Sequence, residues 1–253
     1  MARAECTLIT IPISHFCEKA RWALDRAGVD WEERAHLQVL HWAAVRRAGS
    51  KDRTVPVLVC GSTVLSQSAD ILAFADERAP AERRIYPRDP GEAAAVRELE
   101  RDFDTRLGPE GRRWLYEHMR GRRALVRKYA PTGVPRWERL GLPIAYGTVA
   151  RIIDRHFDID AQTAARSLDA VRATFDEVGE RLRDGRPFLM GERFTAADLT
   201  FSALSAAVLS PPGYGVPLPQ LDELPPAMAA VAGDLREHPA GAHALRMFRE
   251  ERR

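Results

Sequence analysis

Ser14 and Cys17 are the first residues placed to do chemistry, within the stretch SHFCEKARWAL from Ser14 to Leu24. Pro12 follows the apolar run CTLITI and breaks the chain before a helix can begin, so a short strand delivers Ser14 to the start of a helix. Phe16, Ala20, Ala23 and Ala27 recur at helical spacing, and Gly28 stands where a left-handed cap ends such a helix. Ser14 thus lies at the positive end of a helix dipole. A hydroxyl there either caps the helix or hydrogen-bonds an incoming anion, and this segment alone leaves both readings open. Cys17 is either a buried helix residue or, if exposed, a thiol able to form mixed disulfides. Ser68 opens a second apolar-periodic segment, SQSADILAFADERAP, as a candidate N-cap with the same choice of roles.

The elements that must position these groups follow in order. WEERAH reads as a second strand, and Leu40, Ala43, Ala44 and Val45 as a short helix. In TVPVLVCGSTVL two β-rich runs flank Gly61 and Ser62 as a tight hairpin, and Pro56 marks an edge or a special turn. The order βαβα-ββα predicts a right-handed parallel crossover with antiparallel strands added to the same sheet. Residues 81–91, rich in proline and charge, read as a linker. Beyond it the pattern is helical to the end. A stripe over Val96, Leu99, Phe103 and Leu107 is interrupted at Gly108 and Pro109, which predicts a kink or break. The segment from Pro131 to Pro143 reads as loop. Thr195, Asp198 and the Phe194–Leu199 pair form a capping-box variant that starts a largely apolar, buried helix.

The net charge of +2 excludes a strong general pull toward nucleic acid or an acidic membrane. No run of 18 apolar residues exists, and MARAECTLIT has no signal-peptide core, so a cytoplasmic protein is expected. Cys6, Cys17 and Cys60 are odd in number and far apart, which predicts reduced thiols. No histidine or cysteine spacing suits zinc, and no metal is expected.

Taken together, SHFCEKARWAL, TVPVLV, SQSADIL, IYP and GRPFLMGERFTAADL resemble the cytosolic glutathione transferases, in the order and approximate spacing of that family. The likeness runs over nearly the whole chain and is weakest from Leu107 to about Ile159. It implies an α/β plus all-α architecture. A thioredoxin-like, glutathione-binding domain over 1–80 is followed by the linker 81–91 and an all-helical domain over 92–253 with a second-substrate pocket. It implies that Ser14 hydrogen-bonds the glutathione thiolate, as in serine-type members. A free thiol ionises near pH 8.5, so holding it near 6.5 takes about 2.7 kcal/mol. A helix dipole supplies roughly 0.3 to 1 kcal/mol and a hydrogen bond to a charged group roughly 1.5 to 3, so the hydroxyl carries most of it.

By the same resemblance Val55 and Pro56 match a cis-proline turn whose backbone pairs with the tripeptide. Gln67 and Ser68 match the pair that holds its γ-glutamyl carboxylate, and Arg53 and Trp42 are candidates for its glycine end. Trp114, Tyr116 and Tyr214 are candidates for the second pocket, although a core role suits each as well. The implied partners are a small-molecule electrophile and a second copy in a homodimer, with no nucleic acid or membrane. Two features depart from the family pattern. The motif is SxxC, so Cys17 is an alternative nucleophile for thiol–disulfide chemistry. Lys19, Lys51 and Lys128 are the only lysines among 38 basic residues. That bias suits a GC-rich bacterial genome, and with it mycothiol as a possible substitute for glutathione. A non-catalytic binding module on the same fold is the third reading. The arginines from Arg112 to Arg127 are expected to form a solvated helix face.

Overall fold

Leu8, Ile9 and Thr10 are buried on both sides of their strand, the pattern of a central strand rather than an edge. This strand, β1 (Cys6–Thr10), pairs in parallel with β2 (Trp31–Ala35) and antiparallel with β3 (Val57–Cys60), which turns at Gly61 into β4 (Thr63–Leu65). The sheet order is β2-β1-β3-β4. Helices α1 (His15–Ala27), α2 (His41–Arg47) and α3 (Ser68–Arg78) complete the βαβα-ββα unit, with α1 and α3 packed on each other. Gly28 ends α1 at φ 71°, a conformation that costs a residue without Cβ almost nothing. Further along the chain come α4 (Pro90–Thr105), α5 (Leu107–Met119), α6 (Arg123–Tyr129), α7 (Arg136–Phe157), α8 (Ala161–Arg181), α9 (Ala196–Leu209), α10 (Pro226–Glu237) and α11 (Pro239–Glu250). These bounds come from a computed structural model that describes residues 4–157 and 159–252.

The chain divides into two units. One comprises Met1–Arg84, Arg123–Ile152 and Gly215–Pro217, the other Ile85–Arg122, Ile153–Tyr214 and Leu218–Arg253. In the first unit the sheet and its three helices form the thioredoxin-like arrangement, and residues 123–152 pack with them. Ala35, Leu37 and Val134 make one apolar cluster there, with Leu40 and Ala130 against it. The second unit is helical. The break expected at Gly108 and Pro109 falls instead at Arg106, between α4 and α5, and Pro109 lies in the first turn of α5, where its missing N–H leaves no bond unmade. Helix α9 is buried along all 14 of its residues, and its Asp198 accepts from the backbone N–H and hydroxyl of Thr195, as the capping signal predicts. No described helix is long and apolar enough to cross a membrane.

Three expectations are corrected. Cys6 and Cys60 are joined as a disulfide, with Cα atoms 4.3 Å apart. They lie 54 residues apart in the chain, but β3 returns antiparallel to β1 in a register that sets them opposite each other. The segment read as loop from Pro131 to Pro143 becomes helical from Arg136, with Pro143 inside α7. Packing of this stretch on the first unit overrides the proline signal. Finally, Gln67 rather than Ser68 is the N-cap of α3, and Ser68 is its first helical residue.

Val39, between β2 and α2, has φ 73°. A β-branched residue there is a genuine outlier.

Candidate functional site

Ser14 caps α1 in extended conformation, φ −74° and ψ 121°, half-buried, with its Oγ 3.4 Å from the Cys17 N–H that donates to it. The turn that carries it is fastened twice. The Ser14 N–H donates to the Ile11 carbonyl at 3.1 Å, and Arg21 Nη2 donates to the Pro12 carbonyl at 3.0 Å. Arg21 is itself buried at 2% exposure, pairing with Glu18 at 3.3 Å and with Glu33 at 2.6 Å. Thr10 Oγ1 donates to the same Glu33 oxygen. This network ties the end of β1, the Ser14 turn, α1 and β2 into one rigid frame. Sequence reasoning missed Arg21 and Glu33. Charged residues within a helix and a strand look solvated until a partner from another element is known.

Cys17 is fully buried, and burial pushes its thiol above the ordinary range. The Arg21 charge and a hydrogen bond from Ser14 oppose that only in part. A reactive cysteine needs the reverse, an exposed sulfur with a lowered pKa. Cys17 is the free cysteine among the described residues.

The Val55–Pro56 bond is cis, with Pro56 buried and Val55 half-buried. Gln67 is exposed, and Ser68 is buried at the N-terminus of α3, an 11-residue helix. The hydroxyl of Ser66, just ahead, donates to Asp52 at 3.3 Å and so links this helix start to the stretch before the cis bond. Arg53 and Trp42 are brought together, the guanidinium carbon 5.4 Å from the indole centroid. His41, beside Trp42, places Nε2 2.9 Å from the Arg53 carbonyl, and burial lowers its pKa to about 4. Sequence reasoning passed over His41 as well.

The three candidates for a second pocket belong to the second unit. Trp114 is 1% exposed and its carbonyl faces His118 Nδ1 at 2.9 Å, while Tyr214 is buried with its ring 6.2 Å from Phe248. Both are interior packing residues. Tyr116 is half-buried next to Arg112, whose pKa burial lowers and Tyr116 helps to raise. Of the arginine run, Arg113 pairs with Glu110 and Arg120 with Glu117, while Arg122, Arg123 and Arg127 are exposed. No group of histidine, cysteine and carboxylate side chains suited to a metal ion occurs among the described residues.

Two family models match this chain. One, described as glutathione S-transferase, N-terminal domain, covers residues 8–83, and the other, glutathione S-transferase, C-terminal domain, covers residues 161–231; together they span more than half of it. No curated protein matches. Among solved structures, a theta class glutathione S-transferase from Xanthomonas axonopodis pv. citri with glutathione bound is 20% identical, with TM-score 0.60 over 96% of this chain and 97% of that one. A glutathione S-transferase from Xanthobacter autotrophicus Py2 is 18% identical, with TM-score 0.62 over 97% and 93%. FzlA from C. crescentus is 19% identical, with TM-score 0.59 over 98% and 99%. At such identities the structural likeness speaks for the fold.

Proposed function

Since this chain belongs to the glutathione S-transferase family, we propose that it is a serine-type, bacterial transferase that ionises the thiol of glutathione beside Ser14 and directs it at an electrophilic small molecule. The observation that carries this reading is the position of Ser14, a hydroxyl at the N-cap of α1 on a turn held by Arg21. The hydroxyl donates to the thiolate, the helix N-terminus adds its partial positive charge, and the proton leaves to solvent. The cis Val55–Pro56 turn offers backbone to the tripeptide, and the α3 N-terminus with Gln67 and Ser68 receives its γ-glutamyl carboxylate. Arg53 and Trp42 take the glycine end. Catalysis then combines a lowered thiol pKa with the proximity of two bound reactants. Conjugation, ring opening and glutathione-dependent isomerisation all start from that thiolate. Tyr116, half-buried, is the remaining aromatic candidate to meet the electrophile. The setting we propose is a cytoplasmic homodimer.

Burial of Cys17 weighs against thiol–disulfide exchange at that sulfur. Calorimetric titration with glutathione, repeated with mycothiol and with a Ser68→Ala variant, tests the site. Binding of one thiol that is lost in the variant supports it. Binding of neither overturns the transferase reading in favour of a binding module.

A further inference from the structure

Glu138 lies in the first turn of α7, in the part of the chain that neither family model covers, and its side chain is fully buried. Both carboxylate oxygens are spent on the two residues that follow β2. Oε1 is 2.5 Å from His36 Nδ1, and Oε2 accepts from the Leu37 N–H at 2.7 Å. The backbone is still held to the sheet at His36, whose N–H donates to the Thr10 carbonyl at 2.9 Å, and leaves it beyond. An unbroken series of contacts runs on from there. The Leu37 carbonyl accepts from the His41 N–H at 3.1 Å, the His41 ring meets the Arg53 carbonyl at 2.9 Å, and the Arg53 guanidinium lies over Trp42. Arg53 stands two residues before the cis Val55–Pro56 bond.

We propose that Glu138 is a positioning residue for the thiol site: from outside the thioredoxin-like core it fixes the 36–41 turn, and through His41 it sets where Arg53 and Trp42 stand. The inference rests on the transferase reading above, in which Arg53 and Trp42 hold the glycine end of glutathione. The apolar cluster of Ala35, Leu37 and Val134 presses the two segments together, but apolar contact alone does not select one register. Two hydrogen bonds to a single buried carboxylate do, because leaving either donor unmatched there is costly.

The test separates affinity from thiol activation. In Glu138→Ala, glutathione should bind about tenfold more weakly by calorimetry, while the pKa of the bound thiol, read from thiolate absorbance, stays at the wild-type value because Ser14 and its turn are untouched. Glu138→Gln, which keeps one acceptor oxygen, should fall between, about threefold weaker, and it carries the test if the alanine variant does not fold. Trp137→Ala, a change at an exposed neighbour on the same helix, should bind as wild type. Wild-type affinity in both Glu138 variants overturns the inference, and so does a parallel shift of affinity and thiol pKa, which would mark a general loosening. If the wild-type protein itself fails to bind glutathione, the parent reading fails and this one with it, a result read before any variant is made.

Discussion

Asp198 and His243, 45 residues apart, meet inside the helical unit with His243 Nε2 3.1 Å from Asp198 Oδ1. The same carboxylate accepts from the N–H of Leu189 at 2.8 Å and from both the N–H and the hydroxyl of Thr195. One side chain thus caps α9, holds the turn before it and ties in α11. Asp198→Ala would leave those buried donors unmatched and should destabilise the protein by about 3 to 5 kcal/mol. Thr195→Ala removes only one of them and should cost about 1 kcal/mol. Denaturant unfolding of both variants checks the ratio, and equal losses would count against the carboxylate as the hub.

Ser14→Ala should raise the pKa of bound glutathione's thiol. A hydrogen bond to a charged group is worth roughly 1.5 to 3 kcal/mol, which is about one to two pKa units at 1.36 kcal/mol per unit. Thiolate absorbance against pH in the complex measures it. An unchanged titration would remove Ser14 from the chemistry and leave it a helix cap.

His41 supplies a pH signature. In the folded protein it takes up its proton only at about pH 4, whereas an unfolded histidine does so near 6.5. Between those values the unfolded chain binds more protons, so stability rises with pH through that window. Acidification from 6.5 to 4 should remove on the order of 3 kcal/mol, and below 4 this group removes nothing further. In His41→Gln that part of the acid limb should vanish. A stability difference between wild type and variant that stays constant from pH 7 to pH 4 would refute the assignment.

Cys17 should not react with an aromatic disulfide reagent in the native protein and should react once unfolded, because its sulfur is buried and its pKa raised. Cys17→Ala should retain conjugating activity. Rapid native labelling together with loss of activity in the variant would reinstate thiol exchange.

The elements whose instructions are local could be read from the chain alone. Ser14 and Gly28 bracket α1 through cap chemistry, Gly61 turns the hairpin, and Asp198 announces α9, each within a few residues of the structure it specifies. What escaped depends on partners distant in sequence. Glu138 looks like any surface carboxylate until α7 is laid beside the end of β2, 101 residues earlier at Leu37. Arg21 and Glu33 sit in segments that give no sign of burial, and the Cys6–Cys60 pairing follows only from the β1–β3 register. The prolines between Pro131 and Pro143 even pointed the wrong way, because the tertiary setting of α7 outweighs them.

The backbone at Val39 gives the 36–41 turn a further character. Holding a β-branched residue at φ 73° costs about 1 to 3 kcal/mol, which the surroundings must supply. Glu138, the Trp42 N–H that donates to the Val39 carbonyl at 3.2 Å, and the apolar cluster around Leu37 are the restraints that supply it. The turn is thus a latch under tension rather than a spacer between strand and helix. The left-handed backbone persists there because several restraints act on it at once.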